Sequence, residues 1–354
     1  MKQATIYGAA DLRLEEIPLD PTRLADDQVY AETEVTAIST GTELAIYEGR
    51  LNEIPTTPDY PRPLGYSNVG RVVRTGSAVR RVRPGQRVFS RTPHQSAFIA
   101  RQDELMVTVP EGVGSEEASL AYFAQLGVTA LRRAGYQTGE NVAVIGLGVI
   151  GLAAVGVAHA MGARVAAISN SSLRSNQARR MGAHGVFLSS EVQTVEDLGN
   201  IFGETGTDVV LLTANTWEAF RTSLEIARFG GRISVLGFPG RAQPKPEFNP
   251  LDPQWFYGKQ LTLAGVGYSP RANCQPWEIR FTLQRNLEYI FALMVSGTLK
   301  LESLITHRFA PSRMREAYEL VCQHSKELIA AIFDWRSPCQ PSEETPPGHQ
   351  GVGG

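Results

Sequence analysis

Cysteine is scarce in this sequence of 354 residues, and so is any excess of charge of one sign. The three cysteines, Cys274, Cys322 and Cys339, come late in the chain and form no CxxC pair, which argues against a disulfide framework and a cysteine-built zinc site. Lys and Arg (34) nearly balance Asp and Glu (36), so the chain has no net field with which to hold nucleic acid or an anionic membrane. We therefore expect a small-molecule ligand and a reducing, cytoplasmic location.

Long apolar runs are also missing. The longest one, VAVIGLGVIGLAAVGVA at residues 142–158, is shorter than a typical membrane span and contains four glycines. The first residues, MKQATIYGAADLRLEEIP, have no apolar stretch behind the lysine, so they lack the pattern of a signal peptide. We therefore expect no membrane-spanning segment, and residues 142–158 need another explanation.

The pattern of predicted strands and helices changes near residue 127. Residues 1–126 contain short segments rich in β-forming residues, such as QVYAETEVTAI and VGRVVRTG, separated by Pro and Gly clusters. Residues 127–267 alternate apolar strands with helical patterns, from NVAVIG to QLTLAG, which indicates a parallel sheet covered on both faces. Residues 268–336 add two helical patterns and a last strand, LIAAIFDW, and the Pro- and Gly-rich tail at 337–354 is predicted to be disordered. The predicted fold class is α/β.

Gly146, Gly148 and Gly151 form a G-x-G-x-x-G pattern between the strand NVAVI and the helix VIGLAAVGVAHAMGA. The first glycine permits a tight turn, the second lets the backbone approach a pyrophosphate, and the third lets helix and strand pack closely. An ordinary Gly-rich turn is the alternative, but the strand-turn-helix context favours a dinucleotide-binding site at the helix N-terminus. This site also explains the apolar run at residues 142–158, as a buried strand followed by a helix on the sheet.

The end of the second strand, RVAAIS, bears on the choice between NAD and NADP. An acidic residue there would accept a hydrogen bond from the ribose 2′-hydroxyl but repel a 2′-phosphate. The sequence has Ser169, Asn170 and Ser171 at this point, followed by Arg174, and no acidic residue. Hydroxyl groups and a guanidinium suit a phosphate dianion, so the sequence favours NADP(H). The alternative is that Ser171 or Ser172 only caps the next helix and that Arg174 is solvated.

Six segments carry a resemblance to a known family: ISTGTELAIYEG, YPRPLGYSNVGRVV, VRPGQRVF, VAVIGLGVIGLAAVGVAHAMGA, FGGRISVLG and LITHRF. Through them, in this order and over all but the tail, the chain resembles the medium-chain dehydrogenase/reductases, the zinc-type alcohol dehydrogenase superfamily. The resemblance implies a GroES-like β-rich catalytic domain at residues 1–126, completed by residues 268–336, and a Rossmann domain at residues 127–267. It also implies that Asn215 belongs to a loop near the nicotinamide and that the chain forms a homodimer, with QLTLAGVGY as the candidate edge strand.

The sequence departs from this family at the positions that hold its catalytic zinc. The positions that match the zinc ligands carry Thr40, Tyr66 and Gln125, none of which offers a thiolate or an imidazole. The cysteine-rich lobe of the family's structural zinc is missing between VFSRTP and HQSAFIARQDEL, and His94, beside that gap, is expected at the surface rather than in the cleft. We therefore expect no metal. ISTGTE and LGYSNVGRVV resemble the zinc-less branch typified by bacteriochlorophyllide a dehydrogenase, from which only the lack of metal is carried over.

Without zinc, another group must stabilise or protonate the substrate oxygen during hydride transfer. Thr42 stands where the family has a proton-relaying Ser or Thr, and Tyr66 places a phenol in the former metal pocket, where it can act as a general acid. Glu43 can orient Tyr66, Thr40 or a water molecule, and Thr40 is expected to line the pocket. The structural alternative is that the two threonines satisfy the turn backbone, that Glu43 pairs with an arginine such as Arg71, and that Tyr66 fills the space left by zinc.

The sequence thus predicts an NADP(H)-dependent, zinc-independent oxidoreductase that interconverts a carbonyl and an alcohol on a small or medium organic substrate. NADPH-dependent reduction of an activated C=C bond is the first alternative, since other zinc-less members of this superfamily are enoyl and quinone reductases. A non-catalytic cofactor-binding protein is the second alternative. The sequence identifies neither the substrate nor the physiological direction.

Overall fold

The computed structural model describes residues 1–54, 58–104, 106–267, 279–323 and 325–336. The tail that is predicted to be disordered lies outside these ranges, and so does the start of the predicted carboxyl-terminal segment, residues 268–278.

The strands are β1 (Lys2–Ile6), β2 (Leu12–Glu16), β3 (Gln28–Ala37), β4 (Arg62–Pro63), β5 (Asn68–Thr75), β6 (Arg87–Ser90), β7 (Ala97–Arg101), β8 (Met106–Thr108), β9 (Asn141–Ile145), β10 (Arg164–Ser169), β11 (Gly185–Leu188), β12 (Thr207–Leu212), β13 (Ala227–Val235), β14 (Thr262–Gly265), β15 (Ile305–Phe309) and β16 (Ala330–Asp334). The α-helices are α1 (Thr42–Tyr47), α2 (Ser115–Ser119), α3 (Ala121–Arg133), α4 (Val149–Ala160), α5 (Ser175–Arg180), α6 (Gly199–Phe202), α7 (Trp217–Ile226), α8 (Leu283–Val295) and α9 (Met314–Cys322).

The strands β9 to β14 form one sheet of six strands in the order β11-β10-β9-β12-β13-β14, and every neighbouring pair is parallel. All residues of β9 are buried, because alternate side chains pack against helices on opposite faces of the sheet. Val144 lies in one core cluster with Leu152 of α4, whereas Ile145 lies in another with Leu224 of α7. These contacts confirm the doubly wound parallel sheet that the alternating sequence pattern predicts.

The remaining strands form the β-rich part of the molecule. One sheet has the order β15-β16-β3-β5-β6-β8, with β7 paired to β3, and a smaller sheet has the order β2-β1-β4. β15 and β16 follow the parallel sheet in the chain, yet β16 pairs antiparallel with β3. The end of the described chain therefore returns to the β-rich sheet and completes it.

α3 lies at the junction of the two parts. It precedes β9 and packs against both α4 and α8. The predicted boundary between residues 126 and 127 falls inside this helix, so the sequence-based division cuts a continuous element. The same core cluster contains Val69 and Phe89 of the β-rich sheet and Leu152 of α4. One apolar core thus joins the two parts and fixes the walls of the site described below.

The apolar run at residues 142–158 is divided between β9 and α4, as predicted. The two longest α-helices of the described residues, α3 and α8, have 13 residues each. Across the part of the chain that the structure describes, no helix combines the length and the apolar character needed to cross a membrane.

Candidate active site

The loop between β9 and α4 holds the three glycines of the G-x-G-x-x-G pattern. Gly146 has a φ of +96°, which favours glycine, and a methyl group on it would lie 2.8 Å from the amide nitrogen of Ala214. Thr213, which directly follows β12, donates from Oγ1 to the carbonyl oxygen of Gly146 over 2.7 Å. This bond fixes the first turn of the loop, and the sequence analysis missed it because the two residues lie 67 positions apart.

Gly148 and Gly151 differ in what surrounds them. Gly148 is the N-cap of α4, and a methyl group there would meet nothing nearer than Nη1 of Arg174, at 4.0 Å. A methyl group on Gly151 would lie 1.8 Å from the carbonyl oxygen of Gly146. The loop is therefore packed tightly against α4 but open above Gly148, where the unpaired backbone N–H groups of the helix begin. A pyrophosphate fits this arrangement.

Ser169, Asn170 and Ser171 lie at the end of β10, at the same edge of the parallel sheet as the glycine loop. Ser169 ends β10 and is nearly buried, whereas Asn170 is exposed. The hydroxyl of Ser171 accepts a hydrogen bond from the amide of Leu173 over 3.4 Å, so the cap that the sequence left as an alternative is present. A capping hydroxyl still has its own proton to donate to a ligand.

Arg174 reaches back to the glycine loop instead of pointing into solvent. Its Nη1 donates to the carbonyl oxygen of Leu147 over 2.8 Å, and its Nη2 donates to that of Leu328 over 2.8 Å. Burial lowers the pKa of Arg174. The alternative of a solvated Arg174 is therefore wrong, and its guanidinium lies beside the open edge of Gly148.

Asn215 connects the loops that follow β12 and β13. Its Oδ1 accepts a hydrogen bond from the amide of Phe238 over 2.7 Å, and its carbonyl oxygen accepts one from the amide of Gly240 over 2.7 Å. Because the sheet is parallel, these loops leave it at the same edge as the glycine loop. Asn215 thus lies at the carboxyl edge of the sheet, the edge from which the glycine loop also leaves.

Tyr66 lies next to the start of α1, which is formed by the segment ISTGTE. Its hydroxyl donates to Oγ of Ser39 over 2.5 Å, and a hydrogen bond with Thr42, the first residue of α1, also acts on the phenol. Burial raises the pKa of Tyr66 well above its ordinary value, and the charge of Glu43 acts in the same direction. The hydrogen bonds with Ser39 and Thr42 oppose this shift. The structure thus brings two predicted catalytic residues together and adds Ser39 to them.

Glu43 faces a buried cluster, and among the described residues it makes no hydrogen bond with Tyr66. Its side chain is fully buried, and Oε1 accepts a hydrogen bond from the amide of Ser39 over 3.1 Å. Its Oε2 accepts from Nε2 of His94 over 2.9 Å and from the hydroxyl of Tyr318 over 2.5 Å, since an ionised carboxylate can only accept. Glu43 therefore acts on Tyr66 through its charge and through the position of Ser39.

His94 is fully buried, so the expectation of a surface histidine is wrong. Its ring lies edge to face with that of Phe333, with 5.1 Å between the ring centroids. The carboxylate that satisfies it, Glu43, lies 51 positions away in the chain, which is why a local pattern gave no sign of the pair. Arg71, the sequence-based alternative partner of Glu43, instead pairs with Glu34 at 2.7 Å.

Thr40, Tyr66 and Gln125, at the positions that match zinc ligands, do not form a donor set that suits zinc. Gln125 is buried, and its Oε1 accepts a hydrogen bond from Oγ1 of Thr129 over 3.0 Å. Tyr66 keeps its proton because its pKa is raised, and Thr40 is a half-buried neutral hydroxyl. Within the described parts of the chain, no group of three His, Cys, Asp or Glu side chains is arranged to hold a metal ion. Zinc prefers thiolate, imidazole or carboxylate ligands, so these residues do not fit it.

Arg91 and Tyr122 complete the wall beside Tyr66, and the sequence analysis missed both. The rings of Tyr66 and Tyr122 meet edge to face with their centroids 5.3 Å apart. The guanidinium carbon of Arg91 lies 5.1 Å from the ring centroid of Tyr122 and 5.7 Å from that of Tyr66. The available signal was an arginine placed directly after the buried strand segment VFS of β6.

Two family models match most of the chain. The model described as "Alcohol dehydrogenase GroES-like domain" matches residues 25–146, and the model described as "Zinc-binding dehydrogenase" matches residues 149–282. Their order agrees with the order of the β-rich part and the parallel sheet.

Named relatives match nearly the whole chain. Sorbitol dehydrogenase of Bacillus subtilis (strain 168) is 24% identical over 94% of this chain and 96% of its own length. L-threonine 3-dehydrogenase of Anaeromyxobacter dehalogenans (strain 2CP-C) is 27% identical over 83% of this chain and 88% of its own length. The crystal structure of galactitol-1-phosphate dehydrogenase from Escherichia coli has a TM-score of 0.79 at 21% identity, covering 94% of this chain and 100% of that one. This chain shares the fold of that structure.

Proposed function

Because this chain belongs to the medium-chain dehydrogenase/reductase superfamily of zinc-type alcohol dehydrogenase-like proteins, we propose that it interconverts a carbonyl and an alcohol with NADP(H) and without zinc. The observation that carries this proposal is the contact of Tyr66 with Ser39 and Thr42 at the position where the family binds a metal. The substrate is a small or medium organic molecule, as the names of the sorbitol and threonine dehydrogenases suggest for those proteins. We propose a cytoplasmic location from the scarcity of cysteine.

In this proposal the glycine loop and α4 hold the cofactor, with the pyrophosphate above Gly148. Ser169 and Ser171, in the absence of an acidic residue at this point of the sequence, favour a 2′-phosphate over a free ribose diol. Arg174 lies beside Gly148, so its charge supports the phosphates of the cofactor. The nicotinamide ring supplies or accepts the hydride when the cofactor is bound.

Tyr66 supplies the proton in the reductive direction. The carbonyl oxygen gains negative charge as hydride reaches the carbon, and the Tyr66 phenol donates its proton to that oxygen. Its raised pKa keeps the phenol protonated at neutral pH, so the proton moves only as the oxygen approaches an alkoxide. Ser39 and the half-buried Thr42 act on the phenol through hydrogen bonds and relay a proton to it from water, so that both hydroxyls end as they began. In the oxidative direction the proton and the hydride leave the alcohol by the reverse route.

Glu43 and Thr40 have supporting roles in this proposal. Glu43 positions Ser39 by accepting the hydrogen bond of its amide, and Thr40 lines the pocket beside α1. The Thr40 side chain is neutral, and the Glu43 carboxylate binds His94 and Tyr318 instead of Tyr66. In this proposal, protein hydroxyl groups rather than a cation stabilise the negative charge of the reacting oxygen.

Replacing Tyr66 by Phe tests the role of the phenol. We expect Tyr66→Phe to slow single-turnover hydride transfer from NADPH to a ketone by about 10²- to 10⁴-fold, the usual contribution of a general acid. Stopped-flow absorbance of NADPH measures this rate. Tyr30→Phe is the matched control, because the Tyr30 hydroxyl bonds Glu32 at the surface. An unchanged rate in Tyr66→Phe would eliminate the phenol as the acid.

A neutral phenol without a neighbouring metal also suits a second reaction, in which hydride adds to an activated C=C bond and the phenol protonates the enolate. NADPH oxidation on a panel of ketones and a panel of enones separates the two reactions. A third outcome, tight NADPH binding with no turnover on either panel, would favour a non-catalytic cofactor-binding protein.

We also propose a homodimer formed through β14. This strand is the last in the order of the parallel sheet and pairs with β13 on one side. Residues 260–267 of the predicted edge segment QLTLAGVGY are described, whereas its last residue lies outside the described ranges. Light scattering of the purified chain measures the mass, and a monomer at all concentrations would contradict this proposal.

A further inference from the structure

Arg91 lies beside Tyr66, the proposed proton donor, and so beside the proposed substrate pocket. It directly follows β6, and its guanidinium lies over both Tyr122 and Tyr66. The phenol of Tyr66 is the proposed proton donor, so a substrate that reaches this phenol also comes close to Arg91. These ring contacts orient the planar guanidinium but do not neutralise its charge.

The charge of Arg91 has no counter-charge in the described part of the chain. The side chain makes no ion pair and no hydrogen bond with a described residue, and its Nε is buried without a partner. Two other arginines of the β-rich part do pair with carboxylates, Arg71 with Glu34 and Arg101 with Asp27. A half-buried arginine without such a partner has guanidinium N–H donors that lack hydrogen-bond acceptors in the protein.

Glu43 does not accept a hydrogen bond from Arg91. Its two oxygens are already occupied by the amide of Ser39, by His94 and by Tyr318, in a fully buried cluster. Glu43 therefore offers no free oxygen to Arg91, and no other described carboxylate forms an ion pair with it.

We propose that Arg91 recognises an oxyanion of the substrate, so that the enzyme acts on an alcohol or carbonyl compound that also carries a carboxylate or a phosphate group. The planar fork of a guanidinium matches both groups with two parallel hydrogen bonds. This inference rests on the proposed hydride transfer at the same pocket, and it adds a class of substrate and a specificity-determining residue.

Two substrate pairs test the proposal and distinguish the two anions. Levulinate is compared with its methyl ester, and dihydroxyacetone phosphate is compared with dihydroxyacetone, each by titration into the full chain saturated with NADP⁺ and by turnover with NADPH. Saturation with the cofactor keeps the pyrophosphate site filled. We expect at least one anion to bind at least about 10-fold more tightly than its neutral partner, because charge-assisted hydrogen bonds contribute this much or more.

Variants then assign the preference to Arg91. Arg91→Gln should weaken binding of the preferred anion by about 10- to 100-fold and leave the neutral partner within about threefold. Arg91→Lys should retain part of the preference, since it keeps the charge but loses the planar fork. Arg313→Gln, an exposed arginine that pairs with Glu316, is the control and should behave as the wild type. Melting temperature and NADPH affinity report whether each variant is folded.

The outcomes separate this inference from the proposed function. A preference that is absent in the wild type, or that survives in Arg91→Gln, would overturn the role of Arg91. Turnover of the neutral compounds alone would also overturn it while supporting hydride transfer. Anion binding that depends on Arg91, with no turnover of any of the four compounds, would support the anion site and count against hydride transfer.

Discussion

Tyr66, Glu43 and Tyr318 belong to two adjoining hydrogen-bonded groups that meet at Ser39. The Tyr66 hydroxyl binds the Ser39 side chain, while the Ser39 amide binds Glu43. On its other oxygen Glu43 holds both His94 and Tyr318, which are fully buried. A buried carboxylate with three donors is stabilised, whereas the loss of its partners would leave an uncompensated charge. This group therefore supports the loop that carries the proposed catalytic hydroxyls.

The buried phenol of Tyr318 predicts a loss of stability at high pH. Burial raises the pKa of Tyr318 well above its ordinary value, and the charge of Glu43 acts in the same direction. The native state therefore keeps a proton that the unfolded chain loses above about pH 10. Its contribution to stability is fully present below that pH and falls as the pH rises toward the native pKa. We expect the free energy of unfolding, measured with urea between pH 8 and 11, to fall above about pH 10.

Tyr318→Phe should reduce the decrease of the free energy of unfolding with rising pH. The variant loses the hydrogen bond to Glu43 but has no phenol to ionise, so its stability should fall less steeply with pH. Tyr257→Phe, at a position that is 87% exposed, is the control and should keep the slope of the wild type. A slope in Tyr318→Phe equal to that of the wild type would contradict the prediction.

At the scale of elements, Gly148 and Gly151 at the N-terminus of α4 differ in the space that surrounds them. Gly151 has no room for a side chain, whereas Gly148 has room in this structure and faces the proposed pyrophosphate. Substitutions at the two glycines therefore separate the stability of the fold from the binding of the cofactor.

We predict that Gly148→Ala leaves the melting temperature close to that of the wild type but weakens NADPH binding by about 10-fold or more, because the new methyl group keeps the pyrophosphate from the backbone. Gly151→Ala should lower the melting temperature as well, since its methyl group would clash with the Gly146 carbonyl. Gly199→Ala, where a methyl group would meet nothing within 4 Å, is the control. Thermal unfolding and fluorescence titration with NADPH measure the two effects. Wild-type affinity in Gly148→Ala would show that the pyrophosphate does not approach this residue.

At the scale of the whole molecule, an ion pair connects the two parts away from their shared core. Nε of Arg241, in the loop after β13, lies 3.3 Å from Oε2 of Glu53, which belongs to the β-rich part. Both side chains are largely buried, at 7% and 19% exposure, and burial lowers the pKa of Arg241. Removal of Glu53 would leave the charge of Arg241 buried and without an ion pair among the described residues, whereas Glu53 without Arg241 would keep its ion pair with Arg50.

A double-mutant cycle measures this connection. We expect Glu53→Gln and Arg241→Gln each to lower the free energy of unfolding, and the double variant to lower it by less than their sum, with a coupling energy of about 1–3 kcal/mol. Arg221→Gln and Glu225→Gln, at a more exposed pair on α7, form the control cycle and should show little coupling. Additive effects at Glu53 and Arg241 would mean that the pair does not hold the two parts together.

The absence of suitable ligands at Thr40, Tyr66 and Gln125 predicts an enzyme whose activity does not depend on zinc. Metal analysis of the purified protein should find far less than one zinc ion per chain, and incubation with a chelator should leave kcat/KM unchanged. Addition of zinc after chelation should not raise the rate. A loss of activity that zinc restores would contradict the proposed mechanism.

Local patterns were sufficient for the parallel sheet and its glycine loop. The segments NVAVI, RVAAIS and DVVLLT each contain a run of consecutive apolar residues, and these runs form the buried centres of β9, β10 and β12. Burial of a strand on both faces requires apolar residues at every position, so the sequence itself records that environment. The predicted boundary at residue 126 lies inside α3, and a helix that two parts share has no change of composition at its middle to indicate where one part ends.

The sequence by itself determined the parallel sheet with its helices, the glycine loop and the neutral side chains of Thr40, Tyr66 and Gln125, since each of these depends on neighbouring residues or on residue type. Tertiary structure alone decided that Arg91 lies over Tyr66 and Tyr122, that Glu43 binds His94 and Tyr318, and that Arg174 returns to the glycine loop. Glu43 and Tyr318 are separated by 275 positions. Sheet pairing and core packing bring such residues together, and a local sequence pattern carries no record of which distant side chain will satisfy a buried charge.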